Sequence, residues 1–396
     1  ALADVSKSGG YGGNGSWRFE QFGNVVLACN DNNKIQAWTI GVSTAFADVA
    51  SAAPVTKDIA VVRDFVFAGN INIGSQPDKV QWSDINDETD WVSGATSQSD
   101  YQIIADGGNV QAITGGEFGV IFLEKSVVRA SYVGSPLFFQ FDTISSGLGC
   151  LEGNSVARYG NISFFLSDDG WYSTDGQTVT NIGLEKIDRW FFSRVDLTQI
   201  NTISAAVDPV KNLVVWNYAD VDGNRRILIY NWQLQKWSRA ETTSDVVGTI
   251  ATLGETLETL DSSLGYTDID TMPASLDSRL FIGGKFLFAG AKLGKIVTFT
   301  GASITPQLIT TDVEVGYNSV ATLARPQIDN GTAQVAVASR RELDDNIDFS
   351  AFVPATTEGR CSLRSAGRYH RFNVQPTGSW TTAMAVDVDL KPQGNR

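Results

Sequence analysis

The chain has 396 residues, a formal net charge of −14 and only 19% charged side chains. A chain of this length usually folds as two or more domains. Its acidic balance argues against a protein that wraps nucleic acid, because such binding depends on neutralising phosphates with Lys and Arg. No run of eighteen apolar residues occurs, so the sequence predicts no membrane-spanning segment.

The composition favours an all-β protein. Glycine occurs 38 times and tryptophan 10 times, which is typical of many turns and many flat, half-buried surfaces. The three cysteines, Cys29, Cys150 and Cys361, lie far apart and show no metal or redox spacing. We therefore expect three free thiols in a protein from a reducing compartment.

Residues 1–19 are rich in Gly and Ser and are predicted to form a flexible N-terminal segment. The sequence then repeats one pattern, a short apolar run, a turn and a second extended run. In the clearest example, Asp168–Gly170 joins the run Ile162–Leu166 to Trp171, and a second turn follows at Asp175. Asp-Gly between extended runs is a strong hairpin signal, since a type I′ turn needs positive φ at both central residues. Six such units occupy residues 22–40, 64–91, 118–132, 162–180, 212–238 and 279–299.

The spacing of these units predicts a β-propeller. A blade of four strands takes about 40 to 50 residues, and radial closure gives each small sheet two neighbours that protect its edges. We predict six or seven blades over residues 20–303, with a double β-sandwich as the alternative. Residues 252–280 interrupt the pattern and are predicted to form a surface connection. The first strands of the units start near residues 24, 64, 118, 162, 212 and 280.

Beyond Pro306 the sequence changes to longer alternating strands. Ala385–Leu390 alternates strictly between apolar and polar residues, as a strand with one wet and one dry face does. We therefore predict a separate C-terminal β-sandwich over residues 304–396. Its predicted strands are 308–315, 320–325, 334–339, 368–374 and 384–390.

The sequence indicates no catalytic, cofactor-binding or metal-binding residues, and we expect a protein that is not an enzyme. His370 is the only histidine, and it lies on an apparent strand, where it is expected to be a surface or packing residue. Asp84–Asp90 is rich in oxygen ligands but lacks the spacing of an EF-hand loop, so a solvated loop is the better interpretation.

Two features could indicate sugar binding. Ser167–Trp171 comes close to the Asp-box turn of sialidase propellers, but its aspartate and glycine are adjacent and its tryptophan is too near. The tryptophans at strand positions could stack on sugars or bases, but packing between blades needs the same residues. These tryptophans are Trp38, Trp82, Trp91, Trp171, Trp190, Trp216, Trp232 and Trp237.

An ordered series of motifs resembles one known family, the tail nozzle proteins of short-tailed bacteriophages. These are also called packaged-DNA stabilisation or tail tubular protein B-like proteins. The likeness spans about residues 60–396, and its specificity lies in the order of the motifs rather than in any one of them. The motifs are Val80–Trp91, Gly149–Ser155, Phe164–Gly170, Thr174–Gly176, Ile229–Ser238, Ser275–Arg279, Gly367–Phe372 and Val386–Asp389.

The resemblance implies a structural virion protein in the phage tail, assembled in the host cytoplasm. It implies a homohexameric ring that extends and closes the DNA exit channel below the portal and the adaptor. Such a ring retains packaged DNA and passes it during ejection without sequence-specific binding. The implied partners are the tail adaptor or head-to-tail connector proteins and the tail fibre or tailspike proteins, and the family supplies no catalytic residues.

Charge agrees with this role, because six acidic subunits would line a conduit with negative potential that opposes DNA adhesion. The sequence does not indicate which loops line or gate the channel. The alternative is a propeller-type receptor-binding or glycan-cleaving tail protein, which predicts a concave pocket with clustered arginines and carboxylates. A monomeric scaffold propeller is a further alternative, and oligomeric state separates both from the nozzle.

Overall fold

The computed structural model describes residues 4–13, 16–72, 75–251, 286–299, 305–380 and 382–393. The chain divides into two compact units, residues 1–300 and 301–396. The predicted surface connection at residues 252–280 lies outside the described residues.

Six antiparallel meanders form the first unit, and in each of them the strands lie side by side in chain order. The first sheet contains β1 (Arg18–Phe22), β2 (Val25–Cys29), β3 (Gln36–Thr39) and β4 (Ala47–Asp48). The second contains β5 (Thr56–Val62), β6 (Phe65–Ile71), β7 (Gln76–Trp82) and β8 (Asp100–Ile103). The third contains β9 (Val110–Thr114), β10 (Gly119–Leu123), β11 (Ser126–Gly134) and β12 (Phe138–Ser146).

The remaining sheets of this unit follow the same plan. The fourth contains β13 (Ala157–Tyr159), β14 (Ile162–Leu166), β15 (Trp171–Thr174) and β16 (Val179–Asn181). The fifth contains β17 (Ser204–Asp208), β18 (Leu213–Ala219), β19 (Arg225–Asn231) and β20 (Lys236–Glu241). The sixth contains, among the described residues, β21 (Val246–Ala251), β22 (Phe286–Lys292) and β23 (Lys295–Thr298). Short 3₁₀ turns at Gly153–Ser155 and Leu197–Thr202 and one helix, α1 (Asp188–Arg194), connect blades.

The six sheets are the blades of a β-propeller. The first strand of a blade packs against the first strand of the next, as β1 does on β5, β5 on β9, and β17 on β21. The predicted all-β propeller is therefore confirmed, with six blades among the described residues. Each predicted unit corresponds to the second and later strands of a blade. The first strands were not predicted, and some of them, such as β13 with three residues and the largely polar β1, carry little local signal.

Aromatic side chains fill the space between blades. Trp171 and Trp216 have ring centroids 4.2 Å apart, and Trp216 Nε1 donates to Ser155 O at 2.8 Å. Each buried aromatic side chain removes about 150–250 Å² from water. Packing between blades is therefore the role of the buried tryptophans. The tryptophans that are almost fully buried are Trp82, Trp91, Trp171 and Trp216.

The N-terminal residues make specific contacts with the first blade. Phe46 N donates to Val5 O at 2.9 Å, and Lys7 Nζ lies 3.0 Å from Asp48 Oδ1. The strand β1 begins at Arg18, inside the segment predicted to be flexible. Glycine and serine content alone did not reveal that this segment could pair with a neighbouring strand.

The β-sandwich predicted over residues 304–396 corresponds to the second unit, a C-terminal sheet domain whose described strands form one six-stranded sheet. Its two longest strands, Val313–Ile328 and Cys361–Thr377, have 16 and 17 residues and pair with each other, with shifts in their register. Residues from several strands of the sheet form one hydrophobic core, which includes Val335, Cys361 and Phe372. The predicted strands 308–315 and 320–325 were placed separately, but most of their residues belong to one long strand. The strands are β24 (Leu308–Ile309), β25 (Val313–Ile328), β26 (Thr332–Arg340), β27 (Val353–Pro354), β28 (Cys361–Thr377) and β29 (Ala383–Pro392).

His370 joins three strands of this sheet. Its Nε2 lies 2.8 Å from Ser319 Oγ on β25, and its Nδ1 lies 2.7 Å from Ser339 Oγ on β26. The side chain is fully buried, so of the two roles expected for this histidine the structure shows packing. Burial lowers the pKa of His370, because the charged imidazolium loses its hydration.

We expect the second unit to lose stability on acidification because of His370. A folded-state pKa below the unfolded value means that the unfolded chain binds the proton first, so stability falls as the pH drops below about 6.5. The loss reaches at most about 1.4 kcal/mol per pH unit. This loss of stability is measured between pH 7.5 and 5.5 by hydrogen exchange of the backbone amides in peptides from β28, with the rates corrected for the intrinsic effect of pH.

A His370→Gln variant should show a weaker dependence on pH, whereas a neighbouring Tyr369→Phe variant should keep it. An unchanged pH dependence in His370→Gln would show that His370 is not the cause of the loss of stability at low pH.

Candidate functional site

The first strands of all six blades surround one cavity, which we call the axial cavity. It has a volume of about 840 Å³, and residues of β1, β5, β9, β13, β17 and β21 line it. Small residues on two of these strands, Ala112, Ala205 and Ala206, leave the space open. Cavities of roughly 300–1,000 Å³ are the usual size for small-molecule sites.

Asp58 ties two of the inner strands together. Its Oδ2 accepts from Ile113 N at 2.7 Å across the blade boundary, and its Oδ1 accepts from Ile59 N at 3.1 Å. Arg18 Nε lies 3.7 Å from Asp58 Oδ1. Burial raises the pKa of Asp58, although Arg18 and the two backbone donors oppose this. Asp58 is therefore a buried acceptor that organises the strands.

Glu20 lines the same cavity, and its side chain is exposed. Surrounding protein still removes much of its hydration, and this desolvation, followed by repulsion from Asp58, raises the pKa of Glu20 to about 7. Attraction from Arg158 and Arg18 opposes the shift. Glu20 therefore changes charge near neutral pH.

Arg158 enters the cavity from β13. Its Nε donates to Gly160 O at 2.8 Å. Gly116 has a φ of +116°, and a Cβ built there would lie 2.3 Å from Arg158 Nη2. The glycine therefore provides the space that the guanidinium occupies. Among the described residues, no carboxylate forms an ion pair with Arg158.

Two aromatic residues complete the wall at β1. Phe19 lines the cavity with 59% of its surface exposed, which is unusual for so large an apolar side chain. Trp17 stacks on Phe19 with centroids 6.1 Å apart, and Tyr11 contacts Trp17 edge-on at 4.6 Å. Because side chains alternate along β1, these aromatic residues lie on the face of the strand opposite to Arg18 and Glu20.

A smaller polar cavity of about 320 Å³ adjoins the axial cavity, and Arg18 lines both. In the polar cavity Lys57 Nζ donates to Gln111 Oε1 at 2.7 Å. Burial raises the pKa of Asp31 there, while Lys57 opposes the shift. Arg18 therefore stands between a polar compartment and a partly aromatic one.

None of the sequence features considered for chemistry lies in the axial cavity. In the loop Asp84–Asp90, Asp84 Oδ1 accepts from Gln98 N at 2.7 Å and Asp87 Oδ1 accepts from Thr89 N at 2.8 Å, so both side chains stabilise turns. Ser167 N donates to Gly170 O at 2.8 Å in a tight hairpin that leads Trp171 into the core. Within the described ranges, no cluster of His, Cys, Asp and Glu could hold a metal ion.

The sequence analysis missed Arg18, Glu20, Asp58 and Arg158. One signal was available, because these charged residues lie on short segments directly before the predicted first strands at blade spacing. The three cysteines are buried and free, as predicted. The described part of the chain contains no helix with the length and apolar character of a membrane span.

Comparisons with known proteins found distant structural likenesses. No protein-family model and no curated protein matches the sequence. The WD40 propeller domain of Doa1 is similar over 61% of this chain and 74% of its own, with TM-score 0.37 and 9% identity. The WD40 domain of Toxoplasma gondii coronin is similar over 89% and 78%, with TM-score 0.38 and 9% identity.

A puromycin-hydrolyzing peptidase of Mycobacterium tuberculosis is similar over 78% of this chain and 48% of its own, with TM-score 0.40 and 10% identity. Likenesses this distant carry no functional argument. The propeller is a β-fold shared by proteins with unrelated activities.

A Glu20→Gln variant should be more stable than the native chain at pH 8 but not at pH 5. The raised pKa means that the folded state binds more protons than the unfolded state between about pH 4.5 and 7, so ionised Glu20 costs stability above that range. The gain should be about 1 kcal/mol after allowance for screening by cavity water. Urea unfolding followed by circular dichroism measures it.

The matched control is Glu117→Gln, whose carboxylate is exposed and lies 3.6 Å from Arg63. Its effect should stay within about 0.5 kcal/mol at both pH values. Equal effects of the two substitutions would show that the position of Glu20 does not matter.

Proposed function

We propose that this protein is a structural virion protein, a tail nozzle subunit whose homohexameric ring extends and closes the DNA exit channel of a short-tailed bacteriophage. The ordered series of sequence motifs carries the proposal. The proposed partners are the tail adaptor or head-to-tail connector and the tail fibres or tailspikes. Double-stranded DNA would pass through the ring without sequence-specific binding.

The structure supplies a rigid body suited to such a ring. In the motif Gly149–Ser155, Cys150 N donates to Leu123 O at 2.7 Å, and Ser155 O accepts the bond from Trp216. These contacts link blades three, four and five. A cyclic ring needs fixed side-to-side contacts between unlike surfaces, and rigid blades hold such surfaces in place.

Charge also supports the proposal. The net charge is −14, and the segment between β26 and β27 carries four exposed acidic side chains. Negative potential repels a polyanion, and the repulsion acts over about 10 Å at 0.1 M salt. We propose that this acidic loop contributes to the channel wall. Its acidic residues are Glu342, Asp344, Asp345 and Asp348.

The first expected outcome is a six-fold ring with a central hole. Light scattering and negative-stain imaging of the purified protein, alone and with its adaptor, measure it. The adaptor is included because some protein rings assemble only on the partner protein to which they bind. A monomer or trimer that never forms rings with the adaptor would contradict the nozzle and favour a receptor-binding or scaffold propeller.

Neutralising the acidic loop should increase DNA adhesion to the rings. A Glu342→Gln, Asp344→Asn variant keeps Asp345, whose Oδ2 accepts from Arg341 N at 3.1 Å and Glu342 N at 3.0 Å and so holds the turn. We expect several-fold more double-stranded DNA to cosediment with variant rings at low salt, and the difference to shrink as salt screens the charges.

The matched control neutralises two exposed acids elsewhere, Asp106→Asn and Glu185→Gln. Equal adhesion in both double variants would attribute the effect to net charge and remove the loop from the channel wall.

One observation favours a second candidate, a propeller-type receptor-binding or glycan-cleaving tail protein. That function predicts a concave pocket with clustered arginines and carboxylates. The axial cavity contains Arg18, Arg158, Glu20 and Asp58. Binding of glycans by a protein that forms no ring would favour this candidate.

A further inference from the structure

Arg158 is the group in the axial cavity that is best placed to take an anion. The planar guanidinium matches a carboxylate through two parallel hydrogen bonds. The Nε of Arg158 is used by Gly160 O, and the terminal nitrogens have no hydrogen-bond acceptor among the described residues. The side chain remains exposed to the cavity although Gly116 holds it close.

The charged groups around Arg158 do not neutralise it, so the site favours a ligand with one negative charge. Arg18 lies beside Asp58, so these two opposite charges largely compensate each other. Glu20 is neutral for part of the time at pH 7 and adds less than one negative charge. Arg158 therefore leaves a local positive charge in an otherwise acidic protein, which suits a monoanion rather than a polyanion.

The rest of the wall suits a ring with hydroxyl groups. The carboxyl group of Glu20 can accept hydrogen bonds from hydroxyl groups, and in its protonated form it can also donate one. The volume of about 840 Å³ accommodates a monosaccharide with its nearest substituents.

We propose that the axial cavity binds a sugar acid of the uronic-acid class, with its carboxylate on Arg158 and its hydroxyl groups near Glu20. The site lies within one propeller, so it does not depend on ring formation. The proposal supplies a ligand class for the second candidate function, a receptor-binding or glycan-cleaving tail protein. The biological role of the bound sugar acid rests on that function, but the binding itself does not.

Isothermal titration calorimetry of the full chain at pH 6 tests the ligand class with three probes. Galacturonate carries both the carboxylate and the hydroxyl groups, galactose lacks the carboxylate, and benzoate lacks the hydroxyl groups. We expect galacturonate to bind at least about tenfold more tightly than either of the others, since each lost set of charge-assisted or hydroxyl bonds weakens binding to that degree. Equal binding of galactose or benzoate, or no binding of any probe, would overturn the proposal.

Substitutions then test the residues. Arg158→Gln should weaken galacturonate binding by roughly 10- to 100-fold, and Arg158→Lys, which keeps the charge but loses the planar pair of donors, should be intermediate. The control, Arg360→Gln, removes an exposed arginine of the second unit and should change nothing. Full affinity in both Arg158 variants would refute the carboxylate site.

The pH dependence provides an independent readout. The titratable groups that face Glu20 are Asp58 on β5, Arg158 and Tyr159 on β13, and Arg18 on β1, while the lining residues of β9, β17 and β21 carry none. Galacturonate affinity should fall as the pH rises through 7, and Glu20→Gln should abolish this fall. A fall that persists in Glu20→Gln would show that another group is responsible.

Binding to glycans that survives Arg158→Gln would leave a receptor-binding function in place but move it out of the axial cavity. Absence of galacturonate binding in a protein that forms six-fold rings would leave the nozzle proposal untouched. The two proposals therefore fail separately.

Discussion

The close approach of six sheets to one axis is the constraint on which the first unit depends. Gly116 N donates to Val61 O at 2.8 Å, where the second blade meets the third, and a Cβ on Gly115 would lie only 1.9 Å from the same oxygen. Strands this close satisfy each other's backbone groups only where side chains are small. The small side chains at the axis leave open space, which forms the axial cavity. Charged side chains that point into this cavity must therefore find partners within it.

Asp58 shows how this constraint creates the chemistry of the site. Its carboxylate is buried and accepts from the backbone of Ile113 on the neighbouring blade. Its negative charge attracts Arg18 and adds to desolvation, the larger cause, in raising the pKa of Glu20. A group that holds two blades together thus also sets the charge of the cavity. Changes at Asp58 would alter both properties at once, whereas the hydrogen bond from Arg158 to Gly160 O stays within its own blade.

The sequence predicted the outer strands of each blade because Asp-Gly turns and apolar runs are local signals. Ile162–Leu166 and Trp171 illustrate this, since their hairpin follows from adjacent residues alone. The axial strands carry no such signal, because β13 has three residues and β1 is largely polar. The candidate site could not be predicted, because Arg18 and Arg158 lie on the first strands of the first and fourth blades. They are three blades apart along the chain and line one cavity only through radial closure. The second unit was predicted as separate strands for a similar reason, since bends within β25 resemble loops.

The continuous sheet of the second unit has a mechanical consequence. The strand β28 is paired with β25 over its first half and with β26 over its second half, so one strand carries hydrogen bonds to two different neighbours in series. Tension along this strand is resisted in shear, by many bonds loaded together, rather than one bond at a time as in an unzipping hairpin. His370 lies where the two pairings meet and links both neighbours through Ser319 and Ser339. Separating β25 from β26 therefore requires breaking the pairings of the strand that both of them share.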